Sequence, residues 1–293
     1  MKKVLPFIIP KTENESFRIQ IDESPYFYDT LHKHSEVQIT LILKSEGTLI
    51  CGDYIGNFKA GDLFVIGSNQ PHVIRNNDEY YNDDSKGAHA ISLFFDKNSL
   101  GREFFNLPEI DILKQFLLET QRGLKFSKNI SEQFQNFIHS IEHKTGLNRI
   151  IGMITILQLL AETKEFSFLA SINEIKNYDE KEGKRMNQIF QFTLKEFYRD
   201  IRLDEVAEIA NMTPNAFCRY FKQRTRKTYM NFLSEIRIAH ASKLLNNKDL
   251  SVSQICYQSG FNNLSNFNRK FKKIKGCSPS SFITKSNSIF DNK

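Results

Sequence analysis

The hydrophobic pattern divides the chain into stretches with different periods. From about Phe17 to Phe95, short runs of alternating apolar residues are separated by turn residues, a pattern typical of an antiparallel sandwich or barrel. Between residues 108 and 163, apolar positions recur every three or four residues, which predicts helices. A polar stretch at 173–185 follows, and beyond it the period is again helical. The pattern therefore predicts an α+β fold, in which an antiparallel β-barrel with trailing helices precedes an all-α domain.

The charge changes sign where the polar stretch ends. The whole chain has a formal net charge of +6. Residues 1–184 carry 21 Lys and Arg against 26 Asp and Glu, net −5, whereas residues 185–293 carry 19 against 8, net +11. Such an excess points to a polyanionic partner for the C-terminal part alone. The predicted N-terminal domain, linker, C-terminal domain and tail are 1–165, 166–186, 187–284 and 285–293.

Cysteines and apolar runs bear on the compartment. The four cysteines form no Cys-x-x-Cys pair, which excludes a zinc finger and a disulfide framework; they are Cys51, Cys218, Cys256 and Cys277. The N-terminal apolar run is too short for a signal peptide. The longest apolar stretch, at 150–161, falls short of the roughly 20 residues that a bilayer needs. We therefore expect a reduced, cytoplasmic protein without a membrane partner.

The C-terminal region repeats itself at an offset of 49 residues, which becomes 50 after one inserted residue. The motif F-x-R-x-F-K begins at Phe217 and again at Phe267, each time after a short apolar helix pattern and a turn. Phenylalanines four residues apart lie on one face of a helix and are expected to be buried. This arrangement predicts two helix-turn-helix units in tandem.

The outward positions of each longer helix are candidates for contact with nucleic acid. Arginine pairs with guanine and asparagine with adenine in the major groove. The candidate base-reading residues are Asn215, Cys218, Arg219, Ser265, Asn266 and Arg269. Both arginines could instead contact phosphates or an acidic neighbour, and Cys218 could be a packing residue.

Cations around the two units are suited to phosphate contacts, which position a protein without specifying a sequence. They are Lys222, Arg224, Arg226, Lys227, Arg237, Lys270, Lys272, Lys273 and Lys275. A predicted helix at 228–247 separates the units. Its twenty residues would span about 30 Å, close to one DNA turn of about 34 Å.

The segment QSGFNNLSNFNRKFKKIKGCSPSSF at 258–282 closely resembles the signature of the AraC family of bacterial transcription regulators. The resemblance covers about 187–284. It implies a seven-helix DNA-binding domain that contacts two successive major grooves of double-stranded DNA with the six candidate residues. It also implies RNA polymerase as a neighbour at the promoter.

A second motif, H-x-H-x3-Q, consists of His32, His34 and Gln38, and His72 lies in the segment 61–76. Alternate strand positions place His32 and His34 on one face, and His72 from a neighbouring strand would join them inside a barrel. The two segments resemble the cupin pattern, with Gln38 in place of the usual glutamate. In metal-dependent cupins, imidazoles and a carboxylate hold a transition ion.

The missing carboxylate favours a pocket for a small-molecule effector, lined by His32, His34, Gln38 and His72, over a metal site. We therefore expect a non-enzymatic transcription regulator without metal or cofactor, whose N-terminal domain binds the effector and forms a homodimer through the helices at 108–163. Two alternatives stay open. One is a metal-dependent cupin enzyme with an accessory DNA-binding domain, and the other is a regulator controlled by a protein partner, with a filled barrel.

Overall fold

The chain divides into two units, Met1–Asn177 and Tyr178–Lys293, at a point inside the predicted linker. A computed structural model describes residues 15–82, 86–101, 103–170, 180–225, 227–245 and 250–290. In these ranges no helix is long and apolar enough to cross a membrane.

Nine strands make up the β-structure described for the N-terminal unit. They are β1 (Arg18–Ser24), β2 (Val37–Lys44), β3 (Gly47–Cys51), β4 (Tyr54–Phe58), β5 (Leu63–Ile66), β6 (His72–Asn76), β7 (Ala88–Phe95), β8 (Leu124–Phe126) and β9 (Phe166–Phe168). A six-stranded sheet has the order β1-β7-β2-β5-β8-β9, and a three-stranded sheet has the order β4-β3-β6. All pairings are antiparallel. The described strands thus form two antiparallel sheets ahead of a helical unit, which confirms the predicted α+β class.

The larger sheet is covered on both faces, and the alternation along β2 shows how. Val37, Ile39 and Leu41 point to one face and join a core cluster that includes the helices. Ile42 points to the other face and packs with residues of the smaller sheet, among them Leu49 and Phe58. Because successive strand residues point to opposite faces, Gln38 and Thr40 share the space between the two sheets with Ile42.

Three helices pack on the outer face of the larger sheet: α1 (Asp111–Thr120), α2 (Lys128–Glu142) and α3 (Gly146–Glu162). The interval 108–163 is therefore mostly helical, as its period predicts, but it also contains β8. Strand β8 pairs with β5 and with β9. The phenyl rings of Phe126 and Phe166 lie 5.8 Å apart across the second of these pairings. The predicted boundary at 165 is thus too early, because β9 belongs to the N-terminal sheet.

Seven helices are described in the C-terminal unit. They are α4 (Glu180–Glu196), α5 (Leu203–Ile209), α6 (Pro214–Thr225), α7 (Tyr229–Leu244), α8 (Val252–Gln258), α9 (Leu264–Lys275) and α10 (Pro279–Phe290). Helix α4 begins inside the segment predicted to be linker. Lysine, glutamate and arginine are good helix formers, so a polar run such as EKEGKR can extend a helix upstream of its apolar part.

The repeat becomes two helix-turn-helix units, α5–α6 and α8–α9. Corresponding positions of their turns have the left-handed backbone conformation, Asn211 with φ of 52° and Gly260 with φ of 80°. Asparagine and glycine are the residues that most readily accept this conformation. At Gly260 an added Cβ would lie 2.4 Å from the carbonyl oxygen of Phe197, so only glycine fits.

Helix α7 contributes side chains to both units. Tyr229 and Phe232 pack against the ring of Phe221, at 5.5 and 5.2 Å. Ile238 and Ala241 belong to the buried cluster of the second unit. Helix α7 has 16 residues, which correspond to a length of about 24 Å. It is therefore shorter than the helix predicted at 228–247. Residues 246 and 247 of that prediction lie outside the described residues.

Candidate functional site

The predicted histidines lie together between the sheets of the N-terminal unit. One ring nitrogen of each of His32, His34 and His72 lies within 4.8 Å of the others, and all three side chains are buried. His32 and His72 are also paired through their backbones, with N···O distances of 3.0 and 2.9 Å. This bridge fixes the loop before β2 against the first residue of β6.

The Nδ1 atom of each imidazole forms a hydrogen bond with a backbone carbonyl oxygen. The bonds join His32 to Thr30 O, His34 to Glu36 O and His72 to Gln70 O, at 2.8, 3.0 and 2.8 Å. Because a carbonyl only accepts, each Nδ1 carries a hydrogen. Burial lowers the pKa of all three rings, that of His32 to about 4. Neutral rings with a hydrogen on Nδ1 leave Nε2 as an acceptor.

The side-chain amide of Gln38 lies between two of these acceptors. Its Oε1 atom is 3.0 Å from Nε2 of His34 and 3.1 Å from Nε2 of His72. Its amide nitrogen donates to the hydroxyl of Thr40 at 2.7 Å, and that hydroxyl lies 2.8 Å from the hydroxyl of Ser92. If the rings are neutral, Oε1 of Gln38 and the Nε2 atoms of His34 and His72 are all acceptors, with no hydrogen between them. The arrangement then requires either a positive charge at this point or an amide turned so that its NH2 group faces the two rings.

A cavity of about 110 Å³ opens beside the cluster. His32, Gln38 and His72 contribute to its wall, together with hydroxyls and apolar side chains. Asp22 also lines it, and burial raises the pKa of this carboxyl group. Of the four residues predicted to bind a ligand, His32, Gln38 and His72 therefore line this cavity, whereas His34 does not and contacts the amide of Gln38.

The first candidate nucleic-acid face lies on α6. Phe217 and Phe221 are completely buried. The helical period turns the positions between them outward. The exposed side chains on this outer face include Asn215, Cys218, Arg219 and Lys222. Their spacing of three and four residues makes one continuous face along the helix.

The second face lies on α9, where Phe267 and Phe271 are completely buried. The side chain of Asn263 accepts a hydrogen bond from the backbone N–H of Asn266 at 2.9 Å and so caps the helix. Exposed side chains on the outer face are Ser265, Asn268, Arg269 and Lys272. Asn266 is only half-exposed, and its Oδ1 accepts a hydrogen bond of 2.9 Å from Nη2 of Arg269.

Comparison with known proteins agrees with this geometry. Residues 206–285 match a family profile described as a helix-turn-helix domain. The uncharacterized HTH-type transcriptional regulator YdeC of Bacillus subtilis is 23% identical over 277 residues, which cover 91% of this chain and 90% of that protein. The HTH-type transcriptional activator RhaR of Mannheimia succiniciproducens is 22% identical over 261 residues, 86% of each chain. The chain therefore has an AraC-type helix-turn-helix domain at 206–285 and is similar to DNA-binding transcriptional regulators over most of its length.

A solved structure of a probable AraC family transcriptional regulator from Rhodopseudomonas palustris is 20% identical to the regulator. It covers 35% of this chain and 96% of its own, with a TM-score of 0.33.

Some predicted phosphate contacts have other partners inside the regulator. Arg237 donates to the carbonyl oxygens of Phe197 and Arg199, at 2.8 and 2.7 Å. Lys227 pairs with Glu235 at 2.7 Å. The guanidinium of Arg237 thus satisfies the carbonyls that follow α4, which is a structural role. Sequence patterns do not reveal the bonds of Arg237, because its partners lie about 40 residues earlier in the chain.

Lys270 is a third such residue, since its ammonium group donates to the side chain of Asn231 at 3.0 Å. Lys222, Lys272 and Lys273 are exposed. Arg226 lies outside the described residues.

Asn268 is an exposed residue that the sequence analysis did not select. It occupies the position of Cys218 at the repeat offset of 50. Asn266, the asparagine predicted to read bases in this unit, corresponds instead to Ala216 of the first copy. The repeat itself predicts Asn268, because the outward position of Cys218 in the first copy, moved by 50 residues, is residue 268 in the second copy.

Proposed function

We propose that the regulator inserts α6 and α9 into two successive major grooves of double-stranded DNA. The observation that carries this proposal is the pair of matched outer faces, each with an exposed arginine two residues after a buried phenylalanine. The C-terminal segment has a net charge of +11, as expected for a surface that neutralises phosphates.

Base reading is assigned to residues of the two outer faces. Arg219 and Arg269 have the donor geometry that pairs with guanine, and Asn215 and Asn268 the amide that pairs with adenine. Ser265 supplies a hydroxyl, which can bond to several bases. Asn266 acts through Arg269, whose guanidinium it holds. Lys222 and Lys272 extend each face by one turn and are placed to contact phosphates.

The test uses a duplex selected from a random pool by the full-length protein. Arg219→Ala and Arg269→Ala together should weaken binding to this duplex much more than binding to an unrelated one. Arg202→Ala, which removes an exposed arginine outside both faces, is the matched control. An equal loss on both duplexes would mean that the two arginines contact only phosphates.

The N-terminal cavity is proposed as the place where a small-molecule signal acts. Three of the four predicted ligand residues line it, and its wall contains a half-buried carboxyl, imidazoles and hydroxyls. Thermal unfolding of the full-length protein against a library of small metabolites tests this role, because a ligand that binds the folded state raises the midpoint. A signalling role also requires that the bound ligand changes the affinity of the full-length protein for DNA.

We further propose that two copies associate through α3. Leu147 and Ile151 are 70% and 51% exposed and lie one turn apart on this helix. Light scattering of the full-length protein should give the mass of a dimer, and Leu147→Glu should give that of a monomer. An unchanged mass in this variant would exclude α3 as the interface.

Similarity to the activator RhaR supports RNA polymerase as a partner of the DNA-bound regulator. Transcription in vitro from a promoter with the selected duplex upstream should rise when the regulator is added. A fall would identify a repressor.

A further inference from the structure

We propose that the cavity between the two N-terminal sheets binds a small organic cation, a protonated primary amine on a short hydrocarbon chain, with Asp22 as its counter-ion. This inference deepens the role proposed for the cavity and rests on it, because it names the chemical class of the signal. Three features of the wall point to this class: the position of Asp22 in the sheet, the balance of charges and hydrogen bonds, and the apolar side chains around them.

Strand β1 presents a polar inner face to the cavity. Gln20, Asp22 and Ser24 occupy alternate positions of this strand, so they point to one face of the sheet, and all three line the cavity. Asp22 lies opposite Ala90 of β7, which lies opposite Ile42 of β2. The small methyl group of Ala90 leaves space beside the carboxyl group. Because inner faces of packed sheets normally form an apolar core, a carboxyl group beside an open space indicates a polar ligand.

The carboxyl group of Asp22 gives the wall a negative charge that the described residues do not neutralise. Its Oδ1 atom accepts a hydrogen bond of 2.6 Å from the amide nitrogen of Gln20, whose Oε1 accepts from Nε of Arg18 at 3.2 Å. Asp22 forms no ion pair with a described residue, and no lysine or arginine among those residues lines the cavity. Burial raises the pKa of this carboxyl group, and the charges of Arg18 and His89 offset the effect only in part. A ligand cation supplies the missing positive charge.

The imidazole of His32 adds an acceptor to the wall. Its Nδ1–H donates to the carbonyl oxygen of Thr30 at 2.8 Å, and burial lowers the pKa of the ring to about 4. The ring is therefore neutral at neutral pH, and its Nε2 atom accepts. An ammonium group has three donors and no acceptor, which suits a carboxylate and an imidazole together. A hydroxyl ligand also donates but leaves the charge of Asp22 unbalanced, and a carboxylate ligand is repelled by it.

Aromatic and aliphatic side chains make up the apolar part of the wall. Aromatic faces attract cations, and aliphatic side chains accommodate a hydrocarbon chain. Tyr28 is 44% exposed, and its ring lies 5.1 Å from that of His32, so it lies where the cavity reaches solvent. The volume of about 110 Å³ limits the enclosed part of the ligand to a short chain. The apolar lining residues are Phe27, Tyr28, Ile42, Ile74, Ala90 and Phe94.

The experiment uses full-length protein and three sets of probes at equal ionic strength. Ethylamine, butylamine and hexylamine are each compared with the alcohol and the carboxylate of the same chain, and isothermal titration calorimetry measures the affinities. We expect at least one amine to bind about tenfold or more tightly than its alcohol and its carboxylate, because charge-assisted hydrogen bonds are stronger than neutral ones. The same amine should raise the midpoint of thermal unfolding.

Substitutions in the cavity test the role of Asp22. Asp22→Asn keeps the shape and removes the charge, so it should weaken binding of that amine by about tenfold or more. Glu23→Gln is the matched control, because Glu23 is exposed and points to the opposite face of β1. Ala90→Val fills the space beside the carboxyl group and should also weaken binding. Its loss of affinity with the carboxylate intact would distinguish a bound cation from general attraction to the protein.

Absence of amine binding, equal affinities for amine and alcohol, or an amine affinity that Asp22→Asn leaves unchanged would overturn the proposal. Tighter binding of the carboxylates would refute the cationic class and leave the cavity standing as a signal site. The signal role itself fails only if no metabolite of any class raises the unfolding midpoint or changes DNA affinity. DNA affinity is measured separately by anisotropy, so the DNA-binding proposal is tested independently.

Discussion

The two helix-turn-helix units place buried and outward residues at the same repeat positions, yet different contacts hold them. In the first unit, Phe221 lies among four aromatic rings, with centroid distances from 5.2 to 6.4 Å. In the second, Phe271 contacts two rings, at 5.6 and 5.7 Å. Aliphatic side chains of α7 and α8 complete the second core.

Their helix ends differ as well. Ser251 and Gln254 form a reciprocal capping box at the start of α8. The corresponding residue before α5, Arg202, makes no side-chain cap. Arg199 instead pairs with Glu205 in the first turn of α5 and lowers the pKa of that carboxyl. The repeat thus determines which side chains face outward, while local contacts determine how firmly each face is held.

The largest expected effects come from the two cores. Phe221→Ala and Phe271→Ala should each reduce the free energy of unfolding by about 3–5 kcal/mol, with the larger loss at Phe221, which loses more ring contacts. Hydrogen exchange of the full-length protein, followed peptide by peptide, measures where protection falls. Tyr198→Ala, at an exposed ring, is the control. A larger loss at Phe271 would reverse the comparison of the two cores.

The two arginines that are proposed to read bases should show a smaller difference from each other in their effect on DNA affinity. Arg269→Ala is expected to cost about 1–3 kcal/mol in affinity for a selected duplex. Arg219→Ala should cost less, because Arg219 has no hydrogen-bond or ion-pair partner among the described residues and must be ordered on binding. Fluorescence anisotropy at matched salt measures both. When Asn266 is already replaced by alanine, Arg269→Ala should cost no more DNA affinity than Arg219→Ala does. If the two arginine substitutions cost the same affinity in the otherwise unchanged protein, the hydrogen bond from Arg269 to Asn266 has no role in DNA binding.

Helix capping gives a smaller contrast. Ser251→Ala should destabilise the second unit by about 1 kcal/mol, because it removes the hydroxyl that accepts a hydrogen bond from the backbone N–H of Gln254. Arg202→Ala at the equivalent position should change stability by about 0.5 kcal/mol or less. Exchange protection of α8 and α5 reports each change. Equal loss at both positions would contradict the assigned caps.

The smallest effects are those of single phosphate contacts. Lys222→Ala and Lys272→Ala should each make the slope of log affinity against log salt less steep by about 1. Lys227→Met should leave the slope unchanged, since Lys227 pairs with Glu235. Titrations at several salt concentrations measure the slopes. An effect of Lys227→Met as large as that of Lys272→Ala would remove the distinction between structural and DNA-facing lysines.

Sequence periodicity predicted what depends on short-range geometry. It identified the buried phenylalanines of α6 and α9 and the convergence of three histidines, because helix and strand periods fix side-chain directions. It missed the strand partners of β8, the internal role of Arg237 and the carbonyl bonds of the imidazoles. Those features depend on residues that are brought together only by the fold or by loop conformation.

Dimethyl sulfate interference on the selected duplex tests the central claim most directly, because it marks guanines that are contacted in the major groove. The account predicts two clusters of interfering guanines about 10 base pairs apart. Arg219→Ala should erase one cluster and Arg269→Ala the other. A single cluster, or loss of the same cluster in both variants, would contradict the insertion of α6 and α9 into successive grooves.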